Sequence, residues 1–355
     1  MGYEVYTSKP IGAMSMKQLI ALAAGLALSG LTAPLAQAAT TLTVYTALEA
    51  DQVKEYKEAF EKANPDIEIR FVRESTGIIT AKLLSEKNNP QADAVWGLAA
   101  TSLMVLDQQG MLQPYAPKGV DKLSPQFVDK AKPPKWTGMN VWAATICFNT
   151  VEAAKKNLPK PESWADLAKP VYKGQIVMPH PASSGTGYLD VSAWLQMMGE
   201  KKGWDYMDKL HVNMAQYVHS GSKPCKMAAA GEYPIGISFE YRGAQLKEKG
   251  APIDLIYPKE GLGWDLEATA IIKGSKKLAA AQKLADFSVS LPAMRLYEKN
   301  YAVLAMPGVT KPNPFIPADY AQRLSKNNFA WAAKQREAIL REWSRRYESK
   351  AEPKS

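Results

Sequence analysis

The sequence predicts an α/β protein of two lobes, each built on a mainly parallel sheet flanked by helices, and three observations carry that prediction. Strand, helix, strand, helix, strand alternate within about sixty residues from Thr41 to Trp96, the grammar of a parallel sheet. A second strand-to-helix passage, through the glycine- and hydroxyl-rich turn Ser183-Ser184-Gly185-Thr186-Gly187, lies in the middle of the chain. At 355 residues the chain is too long for one small core and suits two lobes of ordinary size.

The elements follow in order. Thr41-Leu42-Thr43-Val44-Tyr45 alternates and is rich in β-branched residues, so it is predicted to be a strand. Val53, Tyr56, Ala59 and Phe60 recur at helical spacing within Glu49–Lys62, and Asn64-Pro65 ends that helix. Residues 67–72 form the next strand, Ser75-Thr76-Gly77 opens a helix running to about Lys87, and residues 92–96 form a third strand. Residues 140–148 form an apolar strand suited to leaving one lobe for another. Residues 174–178 form a strand that leads through the hydroxyl-rich turn into a helix around residues 189–198. Further strands are expected at 235–239, 253–257 and 268–272, and helices near 242–248 and 277–289. From Phe329 to Tyr347, Trp331, Ile339, Leu340 and Trp343 fall mainly along one side, which marks a packing helix. No internal repeat is evident.

Composition narrows the function. With 46% hydrophobic and 22% charged residues the chain is an ordinary globular one. The net charge of +9 comes from lysine pairs scattered between acidic residues, without the dense basic patch and interleaved aromatics of a nucleic-acid binder. The long apolar run, Leu19–Leu31, is shorter than the ~20 residues a membrane-spanning helix needs. It follows Met16-Lys17 and precedes Ala36-Gln37-Ala38, so residues 1–38 are expected to be a cleaved secretory signal, translated from Met14 or Met16, and the protein to be periplasmic. In that oxidising compartment Cys147 and Cys225 are expected to form a disulfide, with two buried, inert thiols as the alternative.

Candidate site residues cluster at strand ends, where ligands of open α/β sheets sit. Ser183, Ser184, Gly185 and Thr186 offer hydroxyls and the unpaired N–H groups of a helix N-terminus to an anion; a plain N-cap would use the same residues. Ser75 and Thr76 repeat the device, and Thr46 occupies the same edge. The P-loop lysine and the dinucleotide glycine spacing are both missing, so a nucleotide does not fit. Carboxylates at Glu49, Glu240, Asp265 and Glu267 could face an ammonium group, and Trp96 and Tyr241 could line the space between. His180, His211 and His219 have no metal-ligand spacing, and no nucleophile elbow, zinc-protease helix or Cys–His pattern occurs. No catalytic residue, metal or cofactor is therefore expected.

Several runs resemble the extracytoplasmic substrate-binding proteins of ABC importers, in the type II, ferric-binding-protein-like cluster. They are Leu42–Thr46, Pro90–Trp96, Phe148-Asn149-Thr150, Pro161–Leu167 and Ser183–Tyr188. More narrowly, Tyr45–Glu49, Glu74–Gly77, Ser220–Cys225 and Ser238–Gly243 resemble the binding proteins for 2-aminoethylphosphonate. The resemblance implies two lobes joined by hinge strands, with ligand in the cleft and an inner-membrane permease as partner. Lobe 1 would hold residues 39–140 and 268–310, lobe 2 residues 141–267, and residues 311–355 a helical segment packing on both. Ferric-binding relatives use a His, a Glu and two adjacent tyrosines, where this sequence has Glu49, Leu98, Glu240 and Tyr241, so a ferric site is not expected.

The resulting expectation is a monomeric receptor for 2-aminoethylphosphonate. Thr46, Ser75, Thr76, Ser183, Ser184, Gly185 and Thr186 would hold the phosphonate, and some of Glu49, Glu240, Asp265 and Glu267 the amine. A receptor for phosphate, another phosphonate or a polyamine is the alternative within binding proteins. A periplasmic hydrolase of phosphorus esters is the alternative outside them.

Overall fold

In the computed structural model residues 39–353 are described, and the expected signal segment and its cleavage pattern lie outside the described residues. The strands are β1 (Thr40–Thr46), β2 (Ile67–Arg73), β3 (Ala94–Ala99), β4 (Leu112–Gln113) and β5 (Thr137–Asn149). They continue with β6 (Ile176–Pro179), β7 (Met214–Val218), β8 (Ile235–Phe239), β9 (Ile253–Ile256) and β10 (Trp264–Ile272). Their order across the sheet is β2-β1-β3-β10-β5-β8-β6-β7, with β4 beside β10 and β9 beside β5.

β1 runs parallel to both β2 and β3, as the alternation of strands and helices requires, with Val44 opposite Phe71 and Ala94. β6 is likewise parallel to β7 and β8. Between these parallel groups run two antiparallel strands, and β5 belongs to both groups. Its residues 137–143 pair with β10, and from Ala144 onward it pairs with β8, then β9. All thirteen residues of β5 are buried, which is why it reads as one unbroken apolar run. The group around β1–β3 and the group around β6–β8 are called the first and second halves below.

The strand expected at 92–96 starts and ends later, as β3, and this moves Trp96 from a strand end to a strand middle. Its indole is fully buried against Tyr56, Phe60, Phe71 and Phe287, and Nε1 donates to the Tyr297 hydroxyl at 2.9 Å. Trp96 is therefore a core residue of the first half and not a pocket wall. The helix at the end of the chain, Phe329–Tyr347, buries Ala332, Arg336, Ile339, Trp343 and Tyr347 at intervals of three and four residues. It packs on the helix Ala100–Gln108 of the first half, while Trp343 meets Tyr217 of β7 in the second.

Cys147 of β5 is bridged to Cys225 of the helix Lys223–Ala230, with Cα atoms 5.3 Å apart and both sulfurs fully buried. The bridge holds that helix, and the Gly221-Ser222 turn leading into it, against the strand that both halves share.

Candidate functional site

Where the halves face one another a cavity of about 50 Å³ is enclosed by residues from both. That is room for more than a single water, in a site lined largely by polar groups.

One wall is made of donors. In the first half the helix Thr76–Ser85 starts directly after β2, with Ser75 as N-cap; that hydroxyl makes no capping bond, and Ser75 and Thr76 line the cavity. In the second half the helix Gly185–Met198 starts after β6, with Ser184 as N-cap accepting from Gly187 N–H at 3.3 Å. Ser184, Gly185 and Thr186 line the cavity. The two N-termini meet: Gly77 N–H donates to the Ser183 carbonyl at 2.8 Å. Both macrodipoles present their positive ends here, and the Arg73 side chain lines the same wall region, its Nε donating to the Leu48 carbonyl at 2.7 Å.

Acidic and aromatic groups complete the enclosure. Glu49, the residue before the helix Ala50–Ala63, and Glu267 of β10 supply carboxylates, and Trp142, Phe239 and Tyr301 supply apolar surface. Glu267 sits where β10 slips register against both neighbours, between Glu267 and Ala268 toward β5 and between Ala268 and Thr269 toward β3. Such a bulge re-aims a side chain. The Glu267 carboxylate accepts from Asn140 Nδ2 at 3.0 Å and from the Tyr301 hydroxyl at 3.1 Å. Gln52 steadies that tyrosine, donating from Nε2 to its oxygen at 2.9 Å while Oε1 receives the Glu49 N–H.

Several expected site residues do other work. The Thr46 hydroxyl is buried, donating to the Trp96 carbonyl at 2.6 Å and accepting from Leu48 N–H at 3.1 Å, so it closes the turn after β1. Ser183 donates to the His219 carbonyl at 3.0 Å and shapes the turn from behind. Glu240 is fully buried, with Oε2 accepting the Ala143 N–H at 2.8 Å where β5 changes partners, and burial pushes its carboxyl up to about 7. Asp265 accepts from the Thr101 hydroxyl at 2.5 Å and from Leu266 N–H at 2.6 Å. Burial raises it to about 6. Tyr241 lies behind Tyr301, ring centroids 5.2 Å apart, and its hydroxyl reaches Asp51 at 3.4 Å. None of Thr46, Ser183, Glu240, Asp265, Trp96 or Tyr241 lines the cavity.

Arg73, Trp142, Phe239 and Tyr301 line the cavity without having been singled out from the sequence. Arg73 was findable, being a cation two residues before the Ser75-Thr76-Gly77 turn. Trp142 and Tyr301 carry no local signal, because only the pairing of β5 and the packing of residues after β10 bring them here.

Beside the cavity the halves are joined by charge. Arg242, whose side chain is 6% exposed, donates from Nη2 to Glu49 Oε2 at 2.8 Å and to Asp51 Oδ1 at 3.0 Å. Ser222 Oγ donates to Glu49 Oε2 at 3.1 Å, and Gln245 Nε2 to Asp51 Oδ2 at 3.0 Å. Burial pushes the Asp51 carboxyl up, but Arg242 and Gln245 outweigh it and hold the group at about 2. A depressed carboxyl stabilises the fold above its unfolded value near ~4 and ceases to as pH falls through its folded value. Asp51 is 42% exposed, which keeps the effect small. Melting temperature measured from pH 5 to pH 2 is expected to fall more gently in Asp51→Asn than in the wild type. Superimposable slopes would remove Asp51 from the clasp.

The chain as a whole is similar to known solute-binding proteins. A protein-family profile described as bacterial extracellular solute-binding protein matches residues 98–332. An uncharacterized protein of Haemophilus influenzae is 31% identical over 91% of this chain and 94% of its own length. The y4fP protein of Sinorhizobium fredii, described as a probable ABC transporter periplasmic-binding protein, is 26% identical over 83% of this chain and 82% of its own. Among solved structures, the periplasmic binding protein AfuA of Actinobacillus pleuropneumoniae, with fructose-6-phosphate bound, superimposes with a TM-score of 0.81 at 29% identity. That match covers 87% of this chain and 99% of AfuA.

Proposed function

Since the chain belongs to the bacterial extracellular solute-binding protein family, whose members bind solutes and catalyse nothing, we propose that it captures 2-aminoethylphosphonate in the periplasm for an ABC importer. The observation that carries this reading is one small cavity with a donor wall at Ser75, Thr76, Ser184, Gly185 and Thr186 and carboxylates at Glu49 and Glu267. A tetrahedral dianion accepts from two helix N-termini and their hydroxyls. An ammonium two carbons away meets the acids, with Trp142 and Tyr301 beside the linker. Cleavage of residues 1–38 and a matching permease belong to the same proposal.

The bound fructose-6-phosphate of AfuA favours a sugar phosphate as the second reading, because it shares the anionic end. A hexose phosphate turns neutral hydroxyls toward Glu49 and Glu267 and leaves their carboxylates uncompensated. Calorimetric titration with 2-aminoethylphosphonate, inorganic phosphate and fructose-6-phosphate separates these readings. The aminophosphonate is expected to bind at least about 100-fold more tightly than either competitor, the scale on which truncating a buried charge pair is felt. Phosphate binding equally tightly would discard the amine; fructose-6-phosphate binding best would transfer the site to sugar phosphates.

A further inference from the structure

Resting on the aminophosphonate reading, we propose that Glu267 alone selects for the ligand's cation, and that Glu49, although it lines the same cavity, instead clasps the two halves together. The sequence leaves both among four candidates for the amine, and their partners make them different.

Glu49 already has a cation. Oε2 receives Arg242 Nη2 at 2.8 Å and Ser222 Oγ at 3.1 Å, with Lys226 Nζ at 3.8 Å. These partners come from the second half while Glu49 belongs to the first, so the pair forms when the halves meet. Glu267 has no such partner: its donors, Asn140 and Tyr301, are neutral, and among the described residues no lysine, arginine or histidine lies within salt-bridge distance of it. Other carboxylates buried near the shared strands face away from the cavity, Glu240 onto Ala143 N–H and Asp265 onto Thr101. Glu267 is thus the cavity's acid with no neutralising side chain, aimed there by the bulge in β10. An uncompensated carboxylate in a water-poor site is unfavourable until a cation arrives, and the ligand's ammonium is that cation. A phosphonate lacking the amine leaves it unpaired, which is how the site would reject it.

A wild-type readout follows from titration. Burial pushes the Glu267 carboxyl up; Asn140 and Tyr301 pull it down, and Glu49 and Glu240 push it up again, leaving it at about 7. The tyrosines Tyr56, Tyr241, Tyr297 and Tyr301 also face it and remain neutral at that pH, because burial raises every one of them. An ammonium binds the ionised carboxylate, so a ligand carrying one must displace the proton below about pH 7. The phosphonates ionise in a similar range, the aminophosphonate at lower pH because its ammonium favours the dianion, so each affinity is first corrected to the dianion from that ligand's own phosphorus NMR titration. The ratio of the two corrected affinities isolates Glu267.

The test is calorimetric titration of 2-aminoethylphosphonate and ethylphosphonate into wild type, Glu267→Gln and Glu49→Gln. Wild type is expected to prefer the aminophosphonate by about 100-fold or more. In Glu267→Gln that preference should shrink to a few-fold, the aminophosphonate binding more weakly and ethylphosphonate at least as tightly as in wild type, which also shows that the variant folds. In Glu49→Gln both ligands should weaken together and the preference survive. Loss of preference in Glu49→Gln with retention in Glu267→Gln would overturn the assignment while leaving the aminophosphonate reading intact. Wild type binding neither phosphonate would end both. Should Glu267→Gln not fold, the wild-type ratio of dianion-corrected affinities decides: as pH rises toward 7 it should climb by up to about tenfold per pH unit and then flatten, whereas a flat ratio throughout refutes the proposal.

Discussion

A Gly185→Ala protein is expected to fold as well as the wild type without ligand and to bind ligand about 5- to 150-fold more weakly. A Cβ at Gly185 would lie 2.6 Å from the Thr76 hydroxyl, 2.9 Å from the Thr76 Cβ and 3.2 Å from its Cγ2. Turning the threonine about χ1 relieves the first of these and not the second, because Cβ does not move with χ1. The backbone of Thr76 has to retreat, and Thr76 belongs to the first half while Gly185 belongs to the second. Overpacking of this kind costs roughly 1–3 kcal/mol. The penalty exists only while the N-termini face each other; we propose that the halves part when the receptor is empty, so that it falls on the state that encloses ligand. In that open state the contact is absent, and alanine at the first position of a helix is tolerated as well as glycine. Melting curves with and without 2-aminoethylphosphonate check this, since ligand stabilisation should shrink while the ligand-free midpoint holds. A contrasting variant sharpens the reading. A Cβ at Gly221 would meet the Thr186 hydroxyl at 2.7 Å and Ser184 Oγ at 3.0 Å, all within the second half, so Gly221→Ala should lower the ligand-free midpoint too. Equal effects on both states in Gly185→Ala would mean that the contact is not a closure contact.

What the sequence revealed about this site divides by the range of the signal. The donor wall was legible because its chemistry is local: hydroxyls and glycine at a strand-to-helix turn have few ways to point, and Ser75, Thr76, Ser184, Gly185 and Thr186 all line the cavity. Thr46, in the turn after β1, and Ser183, beside Ser184, are hydroxyl residues too, yet backbone carbonyls from Trp96 and His219 claim their hydroxyls. The acidic wall was legible only as a set. Asp265 and Glu267 are two apart on one strand and share a face. Thr101, from a helix about 165 residues earlier in the chain, covers the first and leaves the second to the cavity. Glu240 ends its strand as expected, but the helix begins at that residue and folds the carboxylate inward to the Ala143 amide. Trp96 was misplaced because the strand runs on to Ala99, and a shift of three residues turns a rim position into core. Alternation and turn chemistry therefore gave the parallel β1–β2–β3 group and the long C-terminal helix, whereas strand crossing, which brings Trp142 and Tyr301 to the ligand, is a long-range property.

Removing the disulfide is expected to lower the melting midpoint by on the order of 10 °C while leaving the ligand preference of the folded protein unchanged. The bridge closes a loop with a sequence separation of 78, for which chain-entropy arguments give about 4–5 kcal/mol. That is a large share of the ~5–15 kcal/mol that holds a typical native state. The double substitution Cys147→Ala/Cys225→Ala is the clean test, because both side chains sit in an apolar nest with Ala228 and Ile253, where serine would bury an unpaired hydroxyl. Binding specificity should survive for a separate reason. The Gly221 turn that lines the cavity is also held by Ser238 Oγ, which donates to the Gly221 carbonyl at 2.6 Å, and Ser222 stays tied to Glu49. The turn therefore has anchors on β8 and on the opposite half that do not pass through sulfur. Thermal unfolding of the wild type with and without reductant, beside the double variant, measures the effect. A variant melting within a degree or two of the oxidised wild type would show that the bridge adds nothing to stability. If ligand discrimination were lost along with the midpoint, the covalent tie would be setting the shape of the cavity, and the hydrogen bonds of the Gly221 turn would be too weak to hold it.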